Sequence, residues 1–252
     1  MKALAALLLL PFLLGAAKPV LVPDVSQRDI EIAYSFTGAD LLLFGAILYP
    51  RGQAPDPSRP ADIVVVVKGP AQSILVREKE KVAGIWVNAE RMRYRSAPGF
   101  YAIASSRPID ALVDERTRAI YELGLASLQL SPASGAVATD QARFDAGLVD
   151  LLRRRGLYYE DPKAVEITDG VIYRARVRIP ARVPVGRFTA ETFLIQDGRV
   201  LAAAVRQIDI RKSGFERFVA RAADQQSLLY GLVAVALSLA FGWGAGAIAR
   251  RV

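Results

Sequence analysis

VIYRARVRI, residues Val171 to Ile179, alternates without a fault. Val171, Tyr173, Ala175, Val177 and Ile179 share one face of an extended chain, and Arg174, Arg176 and Arg178 share the other, which predicts a strand buried on one side. The neighbouring segments extend this reading. RFTAETFLIQ (Arg187 to Gln196) and RVLAAAVRQIDI (Arg199 to Ile210) flank Asp197-Gly198, a dipeptide that suits the two-residue turn of a hairpin.

The N-terminal half breaks in the same way. PVLV, DIEIAYSF, LLLFGAILY, DIVVVVK, SILVREK, GIWVN and GFYAIAS follow one another between Pro, Gly, Asp and Ser, and seven short strands at this spacing suggest a sandwich. Ile30, Ile32, Tyr34 and Phe36 lie on one face of the second segment, so it is half buried. Ile63 to Val67 is apolar on both faces and is expected at the centre of a sheet, ended by Lys68-Gly69-Pro70.

Between the two β regions the period changes. Asp110 is placed to cap a helix bearing Val113, Ile120 and Leu123, and Thr139 to cap another bearing Phe144, Leu148, Leu151 and Leu152. The expected fold is mainly β: an immunoglobulin-like sandwich at 18–107, a helical insertion at 108–157, and a second β unit at 158–212 that either stands alone or completes the first sheet.

The two ends predict a location. Met1-Lys2, an apolar run from Ala3 to Leu14 and the small residues Gly15, Ala16 and Ala17 make residues 1–17 a cleaved signal peptide. Residues 213–227 are expected as a juxtamembrane helix with Phe215, Phe218, Val219 and Ala222 on one face. Leu228 to Ala249, LLYGLVAVALSLAFGWGAGAIA, carries no charge and predicts one C-terminal transmembrane helix, with Tyr230 and Trp243 near its ends and a cytoplasmic stub at 250–252. The bulk of the chain then faces the periplasm from a bacterial inner membrane. Gly242 and Gly246 form a small-xxx-small pair at which another helix can approach.

Composition narrows the chemistry. With 252 residues, 52% of them hydrophobic, and a mean hydropathy of +0.25, the chain must bury a core. His and Cys are absent, which excludes disulfides, thiol nucleophiles, histidine bases and zinc sites of the usual kind. Of the 33 basic residues only seven are Lys, and Arg favours fixed contacts with carboxylate or phosphate. Outside the two ends this leaves a net charge of about +5. Ser73 with Lys79 or Lys81, Ser213 beside Lys212, and Glu160-Asp161 have no diagnostic setting, so no catalytic residue, metal or cofactor is assigned.

Four groups of arginines remain. Arg91, Arg93 and Arg95 alternate and present a basic face; Arg107 and Arg182 stand beside prolines; Arg153 to Arg155 close a helix, where they complement its dipole. Arg174, Arg176 and Arg178 form the best docking candidate, because three guanidinium groups on one strand face repel unless acids answer them. Glu191 on the following strand is one internal partner; an acidic protein or anionic headgroups are the external ones. Nucleic acid is not expected outside the cytoplasm.

The whole layout resembles an uncharacterised family of alphaproteobacterial transmembrane proteins. The resemblance rests on SFTGADLLLFGAI (Ser35 to Ile47), DIVVVVKGP (Asp62 to Pro70), VAGIWVN (Val82 to Asn88), FYAIASSRPI (Phe100 to Ile109), IPARVPVGRFTAETFL (Ile179 to Leu194) and LYGLVAVALSLAFGW (Leu229 to Trp243). Members are often encoded beside permeases similar to sulfite exporters, and the resemblance implies an accessory role in transport. The expected function is thus a non-enzymatic accessory or scaffold subunit whose partners are the lipid bilayer and a polytopic inner-membrane permease. The alternative is an independent tethered binding or sensor module.

Overall fold

Runs of Val and Ile, which fit a pleated surface, set most of the backbone. The computed structural model describes residues 18–32, 38–50, 55–133, 138–212, 219 and 223–249. The strands are β1 (Val20–Val25), β2 (Asp29–Ile32), β3 (Gly38–Leu48), β4 (Asp62–Lys68), β5 (Ala71–Val82), β6 (Ile85–Pro98), β7 (Tyr101–Ser105), β8 (Ser131–Pro132), β9 (Tyr158–Pro162), β10 (Val165–Thr168), β11 (Ile172–Pro180), β12 (Gly186–Gln196) and β13 (Arg199–Lys212). The helices are α1 (Glu115–Tyr121), α2 (Ala138–Arg154) and α3 (Ser227–Ala249), with 3₁₀ turns at Ile109–Ala111 and Leu125–Ser127. The described residues fall into two compact units: a larger one of residues 18–30 and 38–210, and a smaller one that contains α3.

In the larger unit a four-stranded sheet, ordered β1-β3-β11-β10, faces a six-stranded one, ordered β2-β13-β12-β4-β7-β9. The strands of residues 158–212 therefore lie in the same sheets as those of residues 20–107. Tyr173, Ala175, Val177 and Ile179 of β11 are at most 1% exposed, and β11 packs on β4 and β7. Ile63 to Val67 are buried on both faces, as their unbroken apolar run predicts, and β4 lies between β12 and β7. Each such side chain contributes about 1.5–3 kcal/mol through burial. Phe144, Leu148 and Leu152 of α2 are buried, and α2 covers β9. The Asp197-Gly198 turn joins β12 to β13 in register from Gln196 opposite Arg199.

Several expectations need correction. The immunoglobulin-like layout does not account for β9, which pairs parallel with β7, nor for a third sheet of β5, β6 and β8 built on one long hairpin. Asp114, not Asp110, caps α1: its side chain accepts from the Thr117 amide at 2.8 Å, while Asp110 pairs with Arg118. Ile120 is 61% exposed and forms no part of the core. Thr139 lies inside α2 rather than ahead of it.

The transmembrane helix expected at 228–249 is the main correction. The run does form a helix, yet among the described residues no helix is long and apolar enough to cross a membrane. The signal peptide at 1–17, Tyr34 and Phe36, the body of the juxtamembrane helix and the stub at 250–252 lie outside the described residues.

Candidate functional site

The outward face of the four-stranded sheet gathers residues from all four of its strands. On β11, Arg174, Arg176 and Arg178 are exposed because their alternation partners fill the core. Register then fixes their neighbours. Phe44 of β3 and Glu166 of β10 lie on either side of Arg174, Leu42 lies beside Arg176 and Asp40 beside Arg178. One row further along, Ile172 meets Ala46, which pairs with Val22 of β1, and Leu48 pairs with Val20.

This face is graded. Towards one end stand Val20, Val22, Leu48 and Ile172, each between 47% and 56% exposed, with Phe44 at 36%. Towards the other stand the three arginines with Asp24, Asp40 and Glu166. Such a row of exposed apolar side chains beside arginines is the composition of a protein interface, where charged residues other than Arg are depleted at the centre.

The local carboxylates leave the arginines largely unanswered. Asp40 is 3.9 Å from Arg178, and both side chains are more than three-quarters exposed, so the pair contributes little. Asp24 is engaged elsewhere: the Val25 amide and then the Arg28 guanidinium hold its carboxyl below the ordinary carboxylate range. Among the described residues Arg174 and Arg176 form no ion pair. Glu191 does not answer them. It belongs to the six-stranded sheet and lies 3.5 Å from Lys68, which also binds Glu122 at 2.6 Å.

Gly242 and Gly246 lie one turn apart on α3, and a Cβ added at either meets nothing within 4 Å. They belong to the smaller unit, the arginines to the larger.

The other sequence candidates take structural roles. Ser73 donates to the Tyr94 carbonyl at 3.1 Å, and Lys79 and Lys81 lie further out on β5. Glu160 accepts from the Leu125 amide. Arg107 grips the buried Asp62 with two nitrogens, while Ser106 Oγ donates to the same carboxylate at 2.7 Å. Arg154 pairs with Asp150 at 2.8 Å, at the end of α2. Ser213 lies outside the described residues.

One feature had no signal in the sequence. Between α2, β9 and the turn at Leu125–Ser127 lies an open groove of about 960 Å³. Leu128, Leu130 and Val149 make its wall apolar, with Asp150, Arg153 and Glu160 at its edge. Asp145, also on its wall, accepts a 2.5 Å hydrogen bond from Tyr94 Oη. Its lining comes from three segments between Leu125 and Pro162, and only the fold brings them together.

A family model described as "Putative transmembrane protein (Alph_Pro_TM)" matches residues 20–251. No curated protein matches. Among solved structures, that of Spo0M, a sporulation control protein from Bacillus subtilis, is similar over 83% of this chain at 9% identity, with a TM-score of 0.31. The chain spans 56% of the length of that structure.

Proposed function

We propose, from the premise that the chain belongs to this family of transmembrane proteins, that it is a non-enzymatic accessory protein whose β-rich body docks a membrane-embedded partner. The reading places the body in the periplasm, at the bacterial inner membrane, and takes a polytopic permease as the partner. One observation carries it: the four-stranded sheet exposes a continuous apolar row bordered by Arg174 and Arg176, which have no carboxylate partner among the described residues. A partner that offers an apolar surface and one or two acids would cover both parts of this face.

Site-specific photo-crosslinking in native membranes tests this. A crosslinker in place of Phe44 should give one adduct with an integral membrane protein, and Arg174→Glu with Arg176→Glu should abolish it. If the chain purifies alone in mild detergent and Phe44 yields no adduct, the docking reading fails. The 960 Å³ groove favours a second reading, an independent binding module. That reading expects a ligand whose binding is weakened by Val149→Trp, which would narrow the groove at its apolar wall.

A further inference from the structure

Strands β5 and β6 are much longer than the sheet they join requires. From Lys79 to Ala89 every residue is exposed, so beyond the pair of Glu78 and Glu90 this hairpin stands free of the body as an arm about 15 Å long. The turn at its end is Ala83-Gly84, with φ of 50° and 87°, the left-handed pair that a two-residue turn requires.

The two faces of the arm differ in charge. Val76 opposite Met92 and Glu78 opposite Glu90 lie on the face turned to α2. There Arg143 of α2 binds Glu78 at 2.6 Å and also Glu90, and Tyr94 Oη donates to Asp145. The other face carries Arg77, Lys79 and Lys81 from β5, with Arg91 opposite Arg77, Arg93 opposite Leu75 and Trp86 opposite Lys81. That face holds five cations and no carboxylate, and among the described residues none of the five forms an ion pair.

At the tip, Val82 to Val87 contains no charged residue. Val82 is 55% exposed, Ile85 69%, Trp86 65% and Val87 40%. Leaving four such side chains in water at the end of an arm is unfavourable, and they are exposed on both strands of the hairpin, Val82 on one and Ile85, Trp86 and Val87 on the other. A bilayer interface makes no demand for shape. It accepts an uncharged apolar wedge, places Trp at headgroup level and attracts cations behind it when the lipids are anionic.

We propose that the β5–β6 hairpin is a membrane-contacting arm: its Val82–Val87 tip enters the interface of an anionic bilayer while Arg77, Lys79, Lys81, Arg91 and Arg93 bind the headgroups. This contact is separate from the sheet face that docks a protein and does not depend on it.

The chain has two tryptophans, so Trp243→Phe leaves Trp86 as the sole reporter. The full-length variant is reconstituted in nanodiscs of phosphatidylcholine alone or with phosphatidylglycerol, with and without bromine-labelled acyl chains. Trp86 emission should move to the blue and be quenched by bromolipid in the phosphatidylglycerol discs, and much less in the neutral ones. Lys79→Glu with Lys81→Glu should reverse the shift, each cation contributing about fivefold to the affinity for the surface. These positions are exposed, and an unchanged circular dichroism spectrum confirms the fold. Water-like, unquenched emission in both discs overturns the proposal. Equal quenching in both overturns headgroup recognition, and a shift seen only on adding an oligonucleotide or a partner protein assigns the arm to that class instead.

Discussion

At the scale of single residues, two positions fix the geometry behind the docking face. Gly45 lies in mid-strand opposite Tyr173 on one side and Pro23 on the other. A Cβ there would overlap the Val22 carbonyl and come within 2.6 Å of Tyr173 Oη. Since a backbone carbonyl cannot swing aside, Gly45→Ala should destabilise by about 1–3 kcal/mol in urea unfolding, and an unchanged midpoint would show that β1 gives way instead. Asp62 is the second position. Its buried carboxylate is held by Arg107 and Ser106, so Arg107→Ala removes the stronger partner of a buried charge and should cost about 1–3 kcal/mol by the same measurement. Neither effect was legible in the sequence. LLLFGAILY reads as one strand in which nothing singles out Gly45, and Arg107 reads as an isolated cation beside a proline, because their partners are distant along the chain. By contrast the exposure of Arg174, Arg176 and Arg178 follows from alternation alone, and the structure reproduces it residue by residue.

At the scale of elements, each of the seven N-terminal segments contains a strand among the described residues, DIEIAYSF over Asp29–Ile32, since β-branched runs bounded by Pro, Gly and Asp leave the backbone little choice. Strand order was not legible. SILVREK and GIWVN read as two members of a sandwich, and nothing local says that they pair with each other and run out into solvent. The helix cap is misplaced in the sequence reading for a similar reason: Asp110 reads as the cap of a helix that already includes Val113, whereas the helix starts one turn later and Asp114 reaches the amide three residues on. Arg143 is the element-level contact of most consequence, because it ties the base of the hairpin to α2 through Glu78 and Glu90, and its guanidinium lies 5.2 Å from the centre of the Phe144 ring. These side chains are about half exposed, and each pair contributes roughly 0.2–1 kcal/mol. Arg143→Ala should therefore speed amide exchange in the arm, residues 78–90, while the exchange of β4 and β12 amides stays as slow as before. Loss of protection throughout the body would instead make Arg143 part of the global core.

At the scale of the whole molecule, a chain without disulfides must hold its sheets and covering helices together by burial, and much of that burial is aromatic. Tyr94, Tyr101, Tyr158 and Tyr173 are among the largest fully buried side chains, and Phe100 joins Tyr159 and Phe188 in edge and tilted ring contacts. Burial is the first cause that raises the hydroxyl pKa of Tyr94, Tyr101, Tyr158, Tyr159 and Tyr173 above the ordinary 10.0, with Asp145 adding to it at Tyr94. The sign of the consequence follows directly. In the unfolded chain these phenols ionise near pH 10, while in the folded body they stay neutral, so the unfolded state is the one that loses protons first. The stability they supply is whole below pH 10 and falls as the pH climbs past it. Alkaline titration should therefore give a cooperative transition in which tyrosinate absorbance appears together with the loss of β-sheet circular dichroism. Tyrosines that ionised singly, ahead of any loss of sheet, would show that water reaches the buried interior. That would remove the dry core on which the exposed faces of the β body depend for their rigidity.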